Sequence, residues 1–81
     1  MRFYYVYQLR SEAAAGRHYT GITQNLRKRL ASHNRGEVPH TRKFRPWTIE
    51  VAVAFRDEEK ARGFEAYLKS SSGRAFAKRH F

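Results

Sequence analysis

The sequence predicts a small α+β domain: a three-stranded, mainly antiparallel sheet with two main helices and a short C-terminal helix, in the order β-β-α-β-α-α. Three observations lead there. Two runs rich in aromatic and β-branched residues open the chain, separated by a short linker of small residues. An arginine-rich stretch of helical spacing follows and stops at a glycine. A third apolar run, Trp47 to Phe55, leads straight into an acidic turn that opens another helix.

The elements follow in chain order. Residues 3–10 carry Phe, Tyr and Val and end at Arg10-Ser11, which reads as the first strand. Gly16 can supply the turn with positive φ that returns the chain. Residues 17–22 then pair back as the second strand of a hairpin. Thr23 is the expected N-cap of a helix from Gln24 to about Asn34, and Gly36 suits a left-handed cap after it. Residues 36–46 form an ordered loop bounded by Gly36, Pro39 and Pro46. In the strand 47–55, Trp47, Ile49, Val51, Val53 and Phe55 alternate and should share one face, with Trp47 in the core.

Asp57 should cap a second helix through about Lys69, its acids complementing the positive end of the helix dipole. Ser70-Ser71-Ser72-Gly73 should interrupt. Arg74 to Phe81 close the chain as a short helix with Phe76 and Phe81 turned inward. The expectation is one domain over residues 1–81.

Charge narrows the function. Seventeen Lys plus Arg against seven Asp plus Glu give a net charge of +10 and a chain rich in arginine throughout. Such a surface repels itself and suits a polyanion, most commonly a phosphate backbone. Arginine is the better bidentate phosphate ligand. A membrane surface is the weaker alternative, because no separable amphipathic helix or lysine block is present. No apolar run approaches the ~18 residues of a membrane span, and the N-terminus lacks the pattern of a signal peptide. The chain has no cysteine, which removes disulfides and thiolate zinc sites and fits a cytoplasmic setting.

Three sets of side chains break their local patterns. In the first helix, Leu26 and Leu30 define the apolar stripe. Arg29 and His33 flank it one turn apart, at the edge of the buried face, while Lys28 and Arg35 point to solvent. Arg29 could simply lay its stem on the core with its head in water. In the second helix, Glu65 falls inside the stripe of Ala61, Phe64 and Leu68. A carboxylate there needs an arginine, a metal ion, or a surface pair with Lys69 at i, i+4. Strand alternation places Tyr5 and Tyr7 on one face, with Tyr19 able to join Tyr7, and Tyr4 and Val6 on the other. Tyr4, Tyr5 and Tyr67 read as packing residues.

Taken together these residues resemble the GIY-YIG endonuclease superfamily. Tyr5-Val6-Tyr7 stands for its first tag and Tyr19-Thr20-Gly21 for its second. Leu26-Arg27-Lys28-Arg29-Leu30 is similar to the family's helix, with Arg29 at its arginine, His33 at a position held by His or Tyr, and Glu65 at the helical glutamate that binds metal. The likeness covers nearly the whole chain. It is greatest to the small single-domain bacterial type, itself similar to the nuclease domain of structure-specific resolvases. Two departures stand out: Tyr5 replaces a glycine, and Thr20 an isoleucine.

The resemblance implies a metal-dependent DNA endonuclease acting in repair or recombination. Glu65 would hold one Mg²⁺ or Mn²⁺, which takes few carboxylates and keeps its waters. Arg29 would neutralise charge on the scissile phosphate. Tyr7, Tyr19 or His33 would deprotonate the attacking water, and a cationic surface with a nearby metal should lower a phenol's pKa. Gly21 shapes the lead-in to the helix. Arg27, Arg42, Lys43, Arg45 and Lys69 would bind nucleic acid. The expected substrate is branched, flap or single-stranded DNA, with RNA and a partner protein also open. The rival reading is a nucleic-acid-binding module of the same fold with little or no cleavage.

Overall fold

A computed structural model describes residues 2–81. Its three strands are β1 (Tyr4–Ser11), β2 (His18–Thr23) and β3 (Trp47–Phe55), antiparallel in the order β2-β1-β3. The helices are α1 (Leu26–Asn34), α2 (Glu58–Leu68) and α3 (Ser71–His80), and a 3₁₀ turn spans Arg42–Phe44. The predicted α+β class and element order are those observed.

The central strand β1 divides the core in two, because its side chains alternate between faces. Val6 packs with Ala61, Leu68 and Ala77 beneath α2 and α3, joined by Tyr4, Phe55, Phe64, Phe76 and Phe81. Tyr7 and Leu9 pack with Trp47 on the other face, joined by Tyr19, Leu26, Leu30 and Phe44. Phe76 and Phe81 therefore do turn inward, with ring centroids 5.5 Å apart.

Several local expectations change. Thr23 does not cap α1: Asn25 does, its side chain accepting from the Lys28 amide at 3.0 Å, while Thr23 Oγ1 accepts from the Asn25 amide. A hydroxyl two residues upstream makes a local turn, and the Asn then holds the first helical amides. Gly36 takes φ +80° after the helix, as expected for its left-handed position.

The 47–55 strand has the expected ends but not a single apolar face. Gln8 pairs with Val51 and Leu9 with Ile49, so Glu50 is the extra residue of a bulge. One inserted residue flips everything beyond it. Trp47 and Ile49 thus share the Leu9 face, whereas Val53 and Phe55 share the Val6 face. Trp47 is buried as expected, but Ile49 is exposed.

The serine run does not interrupt the chain for long. Ser70 caps α3, its hydroxyl accepting from the Gly73 amide, and the helix already begins at Ser71. Gly73 is buried inside it because α3 starts against the last turn of α2, where a Cβ would collide with the Tyr67 backbone. Tyr67 is partly exposed but still packs, its ring stacked on Phe64 and edge-on to Phe76.

Candidate active site

The site is built on the Tyr7 face. Tyr7 lies mid-strand on β1, opposite Gly21 of β2, and is 2% exposed. Gly21 has a different task from shaping the lead-in to α1. A Cβ there would stand 2.5 Å from the Tyr7 hydroxyl and 2.7 Å from Cζ, so only glycine leaves room for the phenol.

Helix α1 brings two partners to that phenol. Arg29 Nε donates to the Tyr7 oxygen at 3.4 Å. His33 Nε2 lies 3.1 Å from the same oxygen. Tyr19 of β2 packs beside them, its tilted ring centred 4.9 Å from His33 and 6.3 Å from Tyr7. Tyr7, Tyr19, Arg29 and His33 are therefore one cluster.

His33 is not at the edge of the buried face, as its helical position suggested; it is completely buried. The loop after α1 folds over it and supplies Thr41, a residue that nothing in its local sequence singles out. Thr41 is 1% exposed and sits 2.8 Å from His33 Nδ1. We assign its single hydroxyl proton to the Val38 carbonyl, 3.3 Å away, and with it the Thr41 oxygen as acceptor of Nδ1–H. On that assignment Nε2 is the bare, accepting nitrogen, and the Tyr7 O–H its donor. The chain of bonds then reads Arg29 to Tyr7 to His33 to Thr41.

Thr41 is itself held in place. Trp47 Nε1 donates to its carbonyl at 2.9 Å. The Asn34 side chain accepts from the Trp47 amide at 2.7 Å and donates to its carbonyl at 3.0 Å. This locks the end of α1 to the start of β3. Only a Thr at i+8 beyond the histidine would have hinted at Thr41, and their bond needs the loop to close.

Electrostatics set the protonation states. Burial lowers the His33 pKa, and the Arg29 charge lowers it further, so the imidazole is neutral at pH 7 and free to accept. Burial raises the Tyr7 pKa above the usual phenol value despite the opposing bond from Arg29, and the charges of Tyr19 and Glu65 add to the rise. Among the protein's own groups, desolvation of the phenolate outweighs the one arginine beside it. The bond to Tyr7 is the main reason the Arg29 pKa is raised.

Glu65 lies on α2, half-buried among Ala61, Phe64 and Leu68 as its spacing suggested. Its charge is the weakest of the influences that raise the Tyr7 pKa, and no direct bond joins it to Tyr7, Tyr19, Arg29 or His33. One oxygen, Oε2, takes the Lys69 ammonium at 3.3 Å. Among the described residues no group of three or more His, Cys, Asp or Glu could hold a metal. A single carboxylate with an unbonded Oε1 fits Mg²⁺ or Mn²⁺ kept mostly by water. An exposed i, i+4 pair is worth only about 0.3–0.5 kcal/mol, so Lys69 is a weak competitor for it.

The basic candidates differ in setting. Arg27 is exposed on α1, and Arg42 and Lys43 are exposed on the 3₁₀ turn directly after Thr41. Arg45 lies over Gly36, where its guanidinium fills the space a Cβ would take.

A family model described as the GIY-YIG catalytic domain matches residues 3–79. The chain belongs to that family. GIY-YIG domains are nuclease-type hydrolases that act on DNA. The chain is also 39% identical over 66 residues to a UPF0213 protein of Streptococcus pneumoniae serotype 4 (strain ATCC BAA-334 / TIGR4), a match covering 80% of this chain and 65% of that relative's length. No solved structure matches it significantly. No helix among the described residues is long and apolar enough to cross a membrane.

Proposed function

We propose that this GIY-YIG protein is a divalent-metal-dependent endonuclease that hydrolyses DNA phosphodiesters in branched, flap or single-stranded repair or recombination structures in the cytoplasm. The observation that carries the reading is the Tyr7 phenol, buried under Gly21 and bonded at once to Arg29 and to a neutral His33.

A phenol with a raised pKa is a poor base alone. Its bond to His33 changes what it can do. As a water approaches the phosphorus, Tyr7 takes the water's proton while its own proton passes to His33 Nε2. The phenolate never forms free in the buried site. Thr41 keeps Nε2 bare, so the relay points one way. Arg29 commits Nε to Tyr7, and the rest of its five-donor fork, with Tyr19 beside it, is placed to neutralise an in-line phosphoryl group. Glu65 would hold the Mg²⁺ or Mn²⁺, which supplies Lewis-acid charge at the phosphoryl and leaving oxygens. Arg27, Arg42 and Lys43 offer exposed cations to the flanking backbone.

A second reading, a binding module with little cleavage, draws support from the Glu65–Lys69 pair, which gives one carboxylate oxygen a cation without metal. A substrate panel separates the two. Purified protein is incubated with flap, fork, duplex and single-stranded DNA, and with RNA, in Mg²⁺, Mn²⁺ or EDTA. The endonuclease reading expects metal-dependent nicks that vanish in Glu65→Ala and Arg29→Ala while DNA binding persists. Equal cutting by wild type and Glu65→Ala would refute it. Salt-sensitive binding without products would favour the module.

A further inference from the structure

The opposite face of the sheet carries a groove that the nuclease chemistry does not use. It encloses about 710 Å³ between α3 and the far ends of β1 and β2. That volume lies in the range of about 300–1,000 Å³ typical of small-ligand clefts, far too narrow for a duplex. Leu68, Ala77 and Phe81 give it an apolar floor, while Gln8 and Thr20 present polar groups from the sheet.

Its charge is one-sided. Arg74 and Lys78 are four residues apart on α3, so they share one face of the helix and both line the groove. Neither has a carboxylate within ion-pair distance among the described residues. The groove's own acid, Glu50, stands 3.8 Å from His18. Two exposed, unpaired cations above an aromatic and aliphatic floor are what a strand of phosphates and unstacked bases needs.

The groove also adjoins the candidate site. Tyr19 belongs to the His33 cluster and lines the groove as well. Lys69, which holds Glu65, lines it too. Both regions include Tyr19 on the edge strand β2.

We infer that this groove binds a single-stranded nucleic-acid arm that runs from the candidate site across Tyr19, with Arg74 and Lys78 on its phosphates and a base over Phe81. The inference rests on the nucleic-acid reading above but does not require cleavage. A concave wall argues against a membrane, which calls for a protruding apolar face. An acidic peptide shares the charge but has no flat base for the floor, and it becomes a competitor in the test.

The experiment measures binding of the full chain, in EDTA, to a fluorescein-labelled poly-dT oligonucleotide by anisotropy over a range of salt. The groove variant Arg74→Ala/Lys78→Ala is compared with Lys28→Ala/Arg56→Ala, which removes the same charge from exposed positions elsewhere. The groove variant should bind at least about tenfold more weakly, its salt slope smaller by about 0.7 for each phosphate that is no longer neutralised, and the control should change far less. Unlabelled duplex and polyglutamate should displace the oligonucleotide poorly. Equal weakening in both variants, or equal competition by polyglutamate, would overturn the groove. Groove-dependent binding in a protein that never cuts would retain the groove and remove the nuclease. Glu65-dependent cutting with an unaffected groove variant would do the reverse.

Discussion

The two faces of one three-stranded sheet are put to opposite uses. Beneath α2 and α3, Val6, Ala61, Leu68 and Ala77 form an apolar core that only has to exclude water. Beneath α1, alternate residues of the same strand bury polar atoms, and each has its partner: Tyr7 with Arg29 and His33, His33 with Thr41, Thr41 with Val38. No buried side-chain nitrogen or oxygen among the described residues lacks a hydrogen bond. Buried polar networks are costly when incomplete and rigid when complete. The first face therefore sets stability, and the second is where a small change should alter chemistry more than folding.

That contrast can be broken by substitution, taken in order of effect on DNA cleavage. Tyr7→Phe keeps the ring and removes the hydroxyl at the centre of the chain. It should lower the cleavage rate by about 10²–10⁴-fold, the range for a missing general base. Single-turnover assays at saturating metal measure it. Arg29→Ala should cost about 10²–10³-fold, as for removal of one donor to a developing anion.

Thr41→Val keeps the shape and removes the acceptor at Nδ1. It frees the imidazole to take the other tautomer, and cleavage should fall by about ten- to a hundredfold, the scale for removing a partner behind a reacting group. The pH profile is the finer readout. His33 has a lowered pKa, so wild-type cleavage should hold from neutral pH down past the ordinary histidine value of about 6.5 and fall only as His33 gains its proton. The linkage has the same sign. A depressed native pKa gives stability that is present above the unfolded value and lost as pH falls through the native one, so thermal denaturation should show a stability loss in acid that His33→Gln removes.

Leu68→Ala marks the other face. It should cost about 2–5 kcal/mol of folding stability and, at saturating DNA and a temperature where the variant is folded, leave the single-turnover cleavage rate nearly unchanged even if it weakens binding in the groove. A drop in rate as large as that of Thr41→Val would break the distinction between the faces.

Much of this is legible in the sequence because the relevant signals are local. The ends of β3, the Asp57 cap and the stripe holding Glu65 follow from residue types and spacing alone, and each is where it was expected. Arg29 also stands out because it breaks a local pattern. The features that stay hidden depend on distant segments coming together. The bulge at Glu50 is a property of pairing with β1, so Trp47 and Phe55, which an unbroken alternation would put on one side, lie on opposite faces. The burial of His33 and the part played by Thr41 depend on the 36–46 loop closing over α1, anchored by Asn34 and Trp47. Gly21 is conspicuous in the sequence for a backbone reason, whereas its lack of a Cβ matters for the phenol across the strand pair.

The central claim is that Tyr7 gives its proton to His33 rather than receiving one. The His33 tautomer reports on this directly. Long-range ¹H–¹⁵N NMR of the ¹⁵N-labelled protein at neutral pH should show His33 protonated at Nδ1 with a bare Nε2, and Thr41→Val should disturb that pattern. A neutral His33 protonated at Nε2 would make Tyr7 the acceptor, and the relay would be wrong.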